Sequence, residues 1–408
     1  MNNKGTGRAL IIGGSISGLF AALLLRRTGW EADVFERSDA ELAGRGAGIV
    51  THVELLDAMR AAGLDPSDDL GVDIETRRMF DRGGKLIAER QRPQIVTSWD
   101  RMFRVLRNAF PAENYHINKE LTRCEARSKS IVAYFADGSS AEGDVLIGAD
   151  GIRSTVRTQY LSDVKPQYAG YVAWRGLVPE QEISGRTHAD LFEFFSFCLP
   201  EREQMLGYPV AGPNNELRPG SRRYNFVWYR PADEEGDLQR LLTDNSGHSH
   251  QIAIPPPLVR AENIETLRVA SERLLAPQFQ EMVSLTPRPF LQPIYDLDSP
   301  KMVFGRAAIL GDAAFVARPH VGAGVAKAAA DAMALATALQ MEPNIEKALQ
   351  KFERARIGIG HRIIERARHL GAYMQPQLRT AEERLNAERY RSVDAVMQET
   401  ASMDFLNH

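Results

Sequence analysis

Cysteine is scarce in this chain. Only Cys124 and Cys198 occur among 408 residues, too few for a disulfide framework or a cysteine metal cluster. They read as buried thiols in a reducing compartment. No run of 18 apolar residues is present, so no segment is long enough to cross a bilayer as a helix. The opening MNNKGTG lacks the apolar core of a secretion signal. A one-sided charge excess is missing as well: the formal net charge of −3 argues against nucleic acid or an anionic membrane as the main partner. There is no internal repeat, and no C-x-x-C pair to support disulfide redox chemistry. These absences predict a cytoplasmic protein. What is there is ordinary for a globular chain, 44% hydrophobic and 25% charged, and long enough for two domains with a sizeable core.

The stretch RALIIGGSISGLF, from Arg8 to Phe20, is the first informative one. Ala9 to Ile12 is a short apolar run ending in Gly13-Gly14, the pattern of a strand buried on both faces and its turn. From Ile16 to Thr28 apolar residues recur at helical spacing. Arg26 and Arg27 complement the negative helix end, and Gly29 can take a left-handed cap. EADVFER then supplies a second strand ending at Glu36. The dinucleotide fingerprint G-x-G-x-x-G falls on Gly13, Ser15 and Gly18. Its glycines make the turn, admit a pyrophosphate and let helix pack on strand. Serine at the second position is small and can donate to a phosphate, and the helix start still presents free N–H groups. Glu36 stands where a carboxylate accepts from ribose hydroxyls. An ordinary strand–helix turn is the bland alternative, and this unit alone does not separate FAD from NAD.

Two further motifs narrow the choice. DVLIGADGIRSTVR ends a strand at Asp150. In GRAAILGDAAFVARPHVGAGVAKAAADA, a strand ends at Asp312, and Pro319, Gly322 and Gly324 lead into an alanine-rich helix. An aspartate at the end of a buried strand needs a polar partner, which a sugar-like hydroxyl chain supplies. The two later glycines allow a flat ring to approach the backbone. Each aspartate could instead cap the next helix. With all three motifs in this order, the sequence resembles the class A flavoprotein monooxygenases, the family of para-hydroxybenzoate hydroxylase, over nearly its whole length. GGSISGL, YAGYVAWRGLV and RPHVGAGVAKA are similar to one subgroup, the 2,6-dihydroxypyridine 3-hydroxylases of nicotine breakdown.

The resemblance implies one bound FAD. Gly13, Ser15, Ile16 and Glu36 would hold its ADP half, Asp312 its ribityl chain, and Gly322, Ala323, Gly324 and Val325 its ring. The Asp150 stretch would touch both FAD and NADH or NADPH. Arg37, Arg45 and Arg101 are further contacts it implies, and Arg45 and Arg101 could equally be solvated. Phe315 stands where members often carry histidine, and GAGVA lacks a frequent asparagine. The implied fold is α/β: a Rossmann-like FAD-binding domain (1–73, 97–168 and 300–345), an inserted antiparallel-sheet substrate domain (74–96 and 169–299), and C-terminal helices (346–408).

The middle of the chain supports the insertion. GYVAWRGLV, LFEFFSFCL, EQMLGYPVA and RRYNFVWYR are strand-like runs between Pro, Gly and Asn turns, and IETRRMFDRGGKLIAER is a hairpin of the same sheet. A half-buried sheet over a nucleotide domain suits an aromatic substrate. Tyr224, Phe226 and Trp228 alternate onto one face, and Tyr224 and Phe226 are expected in its wall with Tyr208, although aromatic stripes also build cores. The proline-rich 247–263 segment reads as a surface connection. The charged tail could pack on its own domain or in a homodimer.

A single fingerprint fits one resident FAD and a nicotinamide that docks transiently. The resemblance then implies hydroxylation of an electron-rich ring with O2 through a flavin C4a-hydroperoxide, most simply on a hydroxypyridine. A base near the ring hydroxyl would assist. Pro319 fixes the turn and removes a donor. His320 is expected either to relay the substrate proton or to be a neutral structural histidine, with Tyr208 an anchoring hydroxyl and His52 a weaker candidate. No metal is expected. The alternatives are a phenolic or hydroxynicotinate hydroxylase, with or without decarboxylation, and a flavin-free binding protein on the same fold.

Overall fold

The computed structural model describes residues 7–40, 42, 48–66 and 70–407. Short apolar runs form a six-stranded sheet ordered Val303–Phe304, Ala307–Ile309, Val145–Gly148, Arg8–Ile12, Glu31–Phe35, Tyr115–His116. Its neighbours are parallel except for the first pair. Ile12 lies opposite both Phe35 and Gly148, and Gly148 lies opposite Ile309. The chain therefore leaves four adjacent strands at one edge, just before Gly13, Glu36, Asp150 and Asp312. The carboxyl edge of a parallel sheet is where such folds bind ligands.

The helix Ile16–Arg27 starts after Ser15 and ends at Thr28, with Gly29 at φ +90°. It is buried on nearly every side because it lies between this sheet and the helix Gly324–Met341. A Cβ on Gly18 would stand 1.9 Å from the Gly13 carbonyl oxygen, so only glycine lets the helix sit this close to the turn.

A nine-stranded sheet covers the nucleotide part. Its order is Phe315–Val316, Phe290–Asp298, Gln167–Pro179, Arg223–Pro231, Gln204–Val210, Phe194–Cys198, Val72–Phe80, Leu86–Ser98, Gly48–Val50. The hairpin turning at Gly83-Gly84 joins it as expected. The sheet also takes Gly48–Val50 and Phe315–Val316 from segments read in the sequence as nucleotide-binding. Its central strands Gln204–Val210 and Arg223–Pro231 are buried on both faces, while the hairpin strands Val72–Phe80 and Leu86–Ser98 keep exposed positions. Trp174, Tyr224, Phe226 and Trp228 pack with the helices Ala261–Leu274 and Pro277–Ser284. Tyr171, Tyr208, Val227 and Tyr229 form the other face with Val50 and Met374. The expectation that Tyr224 and Phe226 wall the substrate pocket is therefore corrected. Alternation along the strand was read properly, but helices cover the face that carries these two rings. Phe226 is closely packed there, since a Cβ on Gly176 would meet its ring at 2.4 Å.

A small third sheet, Leu121–Ala126, Ile131–Phe135 and Ser140–Gly143, was not anticipated. The tail folds onto its own chain. Arg90 and Arg92 pair with Asp394 and Asp404 at 2.7 and 2.8 Å. The fully buried Arg77 donates to the carbonyls of Met397 and Thr400 at 2.9 and 2.8 Å. Both cysteines are buried and free. Among the described residues no helix is long and apolar enough to cross a membrane, and no cluster suits a metal ion.

Candidate active site

At the carboxyl edge of the parallel sheet lies a cleft of about 600 Å³, and Gly13, Ser15, Glu36, Arg37, Asp150 and Asp312 all line it. Gly13 turns at φ +104°, and a Cβ there would stand 2.4 Å from the Ala149 carbonyl oxygen. Ser15 is the N-cap of the first helix, yet its side chain makes no capping bond. The start of that helix, with Ile16 buried behind it, thus faces the cleft with N–H groups suited to a phosphate. Glu36 is aimed by two backbone donors: the Gly14 N–H gives to one oxygen at 2.8 Å and the Ser38 N–H to the other at 2.9 Å.

Asp150 accepts from the N–H groups of Thr155 and Val156 at 2.7 and 3.3 Å through one carboxylate oxygen. The other oxygen is buried with no partner, and burial holds this carboxyl above the usual range. Asp312 opens into the cleft from Gly311, which sits at φ +60°. Surrounding protein raises its pKa while the Lys327 ammonium draws it down. Behind it Asp331 accepts from the Gly311 N–H at 3.1 Å and from Arg356 at 2.7 Å. Ile252 and Ala253 also line the cleft, so the proline-rich segment is more than a surface connection. Proline and polar turn residues around it masked that role in the sequence.

The second half of the site is the loop Pro319–Val321 and Gly322 beneath the sheet. Gly322 takes φ +67°, and Ala323 caps the helix that begins Gly324-Val325. His52 donates to the Gly322 carbonyl at 3.2 Å, and its burial lowers its pKa. His320 is buried, bonded through Nε2 to the Tyr171 hydroxyl at 2.7 Å, and its ring centroid is 4.4 Å from that of Tyr229. Burial pushes its pKa down to about 3, helped by the neighbouring Arg318 charge. A histidine whose pKa is lowered in this way is disposed to be neutral and to hold its place by hydrogen bonding. Its burial and its bond to Tyr171 accord with the neutral structural reading of the two that the sequence left open. Tyr208 lies on the same sheet face, with its hydroxyl pushed up to about 12 by burial, so it remains a donor. Arg101 does not line the nucleotide cleft; its guanidinium reaches the Asn215 carbonyl at 3.4 Å. Arg45 lies outside the described residues.

The sequence reading missed Arg175 and Asn225. Both share the sheet face of Tyr208 and Tyr229, since Arg175 pairs with Val227, and Asn225 pairs with Leu177 and Tyr208. A charged residue inside the apolar run VAWRGLV was the available signal.

A cleft at the strand ends of a parallel sheet, lined by the fingerprint turn and by Glu36, Asp150 and Asp312 beside a large mixed sheet, defines a dinucleotide-binding protein. A family model described as FAD binding domain-like matches residues 168–296. The chain is 33% identical over 371 residues to 2,6-dihydroxypyridine 3-monooxygenase of Paenarthrobacter nicotinovorans, covering 91% of this chain and 92% of that one. It is 27% identical to 6-hydroxynicotinate 3-monooxygenase of Bordetella bronchiseptica, covering 81% and 82%. The solved 2,6-dihydroxypyridine-3-hydroxylase from Arthrobacter nicotinovorans superposes with a TM-score of 0.85 over 91% of this chain and 93% of the other. The chain belongs to the FAD-dependent aromatic monooxygenases, and FAD is its cofactor. The residues fit that cofactor. The orphaned Asp150 oxygen, the uncommitted Ser15 side chain and the Gly13 turn that a Cβ would fill all face one cleft.

Proposed function

We propose that the ring hydroxylated is a hydroxypyridine, with 2,6-dihydroxypyridine as the first substrate to test, and that the reaction runs in the cytoplasm. The balanced reaction joins one oxygen atom of O2 to a ring carbon in place of hydrogen. The other atom leaves as water, and NADH or NADPH supplies the two electrons. FAD, when bound and reduced, supplies the oxygen activation. The chain's own residues bind and orient. Glu36 would hold the adenosine ribose, the Ser15 turn the phosphates, and Asp312 the ribityl hydroxyls. The helix starting at Gly324 directs its positive end toward the ring site. Tyr208 would donate to a ring oxygen, and the apolar packing around it would keep water from that hydrogen bond.

The observation that carries this reading is the meeting of Gly13, Glu36, Asp150 and Asp312 at one sheet edge. The substrate class follows the likeness to a dihydroxypyridine monooxygenase along nearly the full length of both chains. A carboxylated pyridine is the second reading, favoured by Arg175, which has no carboxylate partner among the described residues. The test is to follow NADH and NADPH oxidation by the purified holoenzyme with hydroxypyridines, hydroxynicotinates and phenols, identifying products made under labelled O2. Stimulated oxidation and a product one labelled oxygen heavier are expected. No labelled product from any of these rings would overturn the proposal.

A further inference from the structure

On the sheet face above the loop Pro319–Val321, two side-chain donors, on Arg175 and Asn225, have no acceptor, and the Gln204 side-chain oxygen opposite Tyr229 has no donor. Arg175 gives one guanidinium nitrogen to the Gln292 side-chain oxygen at 2.8 Å. Its Nε is buried and makes no bond. Asn225 is fully buried. Its oxygen accepts from the Gly48 N–H at 3.4 Å, while its Nδ2 bonds to nothing. These two side chains are neighbours across adjacent strands: Arg175 lies opposite Val227, and Asn225 is two residues from Val227 on the same strand. Diagonal neighbours of this kind are within reach of long side chains. The positive charge of Arg175 is also felt by the hydroxyls of Tyr208 and Tyr229, opposing the upward push of their burial.

The position of the pair ties it to the ring site. Asn225 is held by Gly48, and Tyr208 packs so close to Gly48 that a Cβ there would meet its ring at 2.3 Å. Two places further along the strand from Val227, Tyr229 packs its ring against that of His320, tilted by 60°, next to Pro319. Arg175 thus projects between the contacts that the two flavin-side segments make with the sheet. Buried donors are ordinarily paired, so a guanidinium nitrogen and an amide nitrogen left open as diagonal neighbours call for a ligand edge that accepts from both. A guanidinium prefers that edge to be anionic.

We infer that Arg175 and Asn225 form the specificity site for a negatively charged oxygen edge of the substrate, an ionised ring hydroxyl or a ring carboxylate. This rests on the aromatic-hydroxylase reading above. It selects acidic rings over neutral ones of the same shape, because a methyl ether offers these donors only a weak, uncharged acceptor and an alkyl group offers none.

The test uses the holoenzyme and follows the flavin absorbance change on titration with 2,6-dihydroxypyridine and with its neutral dimethyl ether. Arg175→Met should weaken the dihydroxypyridine about tenfold or more, change the ether by less than about twofold, and retain wild-type FAD content. Arg175→Lys should recover part of the loss. Should Arg175→Met fail to fold, Asn225→Asp serves in its place: it puts an acceptor where a donor was and should weaken the dihydroxypyridine in preference to the ether. Wild-type affinity for the dihydroxypyridine in the folded variants, or equal losses for both ligands, would overturn the inference. A wild-type protein that hydroxylates no ring would instead overturn the functional reading on which it stands.

Discussion

The nucleotide cleft and the sheet face above the flavin loop present polar groups in opposite ways. In the cleft, carboxylates are held by the chain's own backbone: Glu36 by Gly14 and Ser38, and Asp150 by Thr155 and Val156. That arrangement is rigid before any ligand arrives. On the sheet face, Arg175 and Asn225 offer donors that nothing answers. A site for a cofactor of fixed structure can be preorganised by backbone, whereas a site that must choose among rings works through side chains left unpaired until the right ring binds.

The largest expected effect breaks the cleft. Gly13→Ala places a Cβ against the Ala149 carbonyl at a φ of +104°. It should yield protein without FAD, destabilised by about 2–3 kcal/mol, as read by the flavin-to-protein absorbance ratio and by denaturant unfolding. Next is the pH response of His320. Its folded pKa of about 3 lies below the unfolded value of 6.5, so between these values only the unfolded chain takes up the proton. Stability from this group is complete above pH 6.5 and is lost as the pH falls toward 3. His320→Asn should therefore lose about 2 kcal/mol less than wild type between pH 7 and 5 in denaturant titrations. Equal losses in both proteins would contradict the neutral assignment. Asp312→Ala removes the carboxylate assigned to the ribityl chain and should weaken FAD binding about tenfold, measured on deflavinated protein. The smallest effect sharpens the two sheet faces against each other. Tyr208→Phe should raise the KM for the ring substrate by about threefold, while Tyr224→Phe, behind the sheet, should leave KM unchanged in the same assay.

Legibility in the sequence followed the same division. The cleft was readable because each of its parts is a local strand–turn–helix signal, and because parallel strands in register bring Gly13, Glu36, Asp150 and Asp312 to one edge. The alternation in RRYNFVWYR was readable too. Its facing was not, because that depends on the helices Ala261–Leu274 and Pro277–Ser284, which come later in the chain and cover one side. The burial of His320 was not readable, because no local pattern reveals what packs around it. Arg175 stood in view as a cation within an apolar strand, but only the register with Asn225 gives it a partner in function.

The most direct test of the account is the stoichiometry and strength of FAD binding to the deflavinated protein, titrated alongside Gly13→Ala and Asp312→Ala. One FAD bound per wild-type chain, abolished in the first variant and weakened in the second, is the predicted result. A chain that binds no FAD, or one whose binding is indifferent to both substitutions, would contradict it.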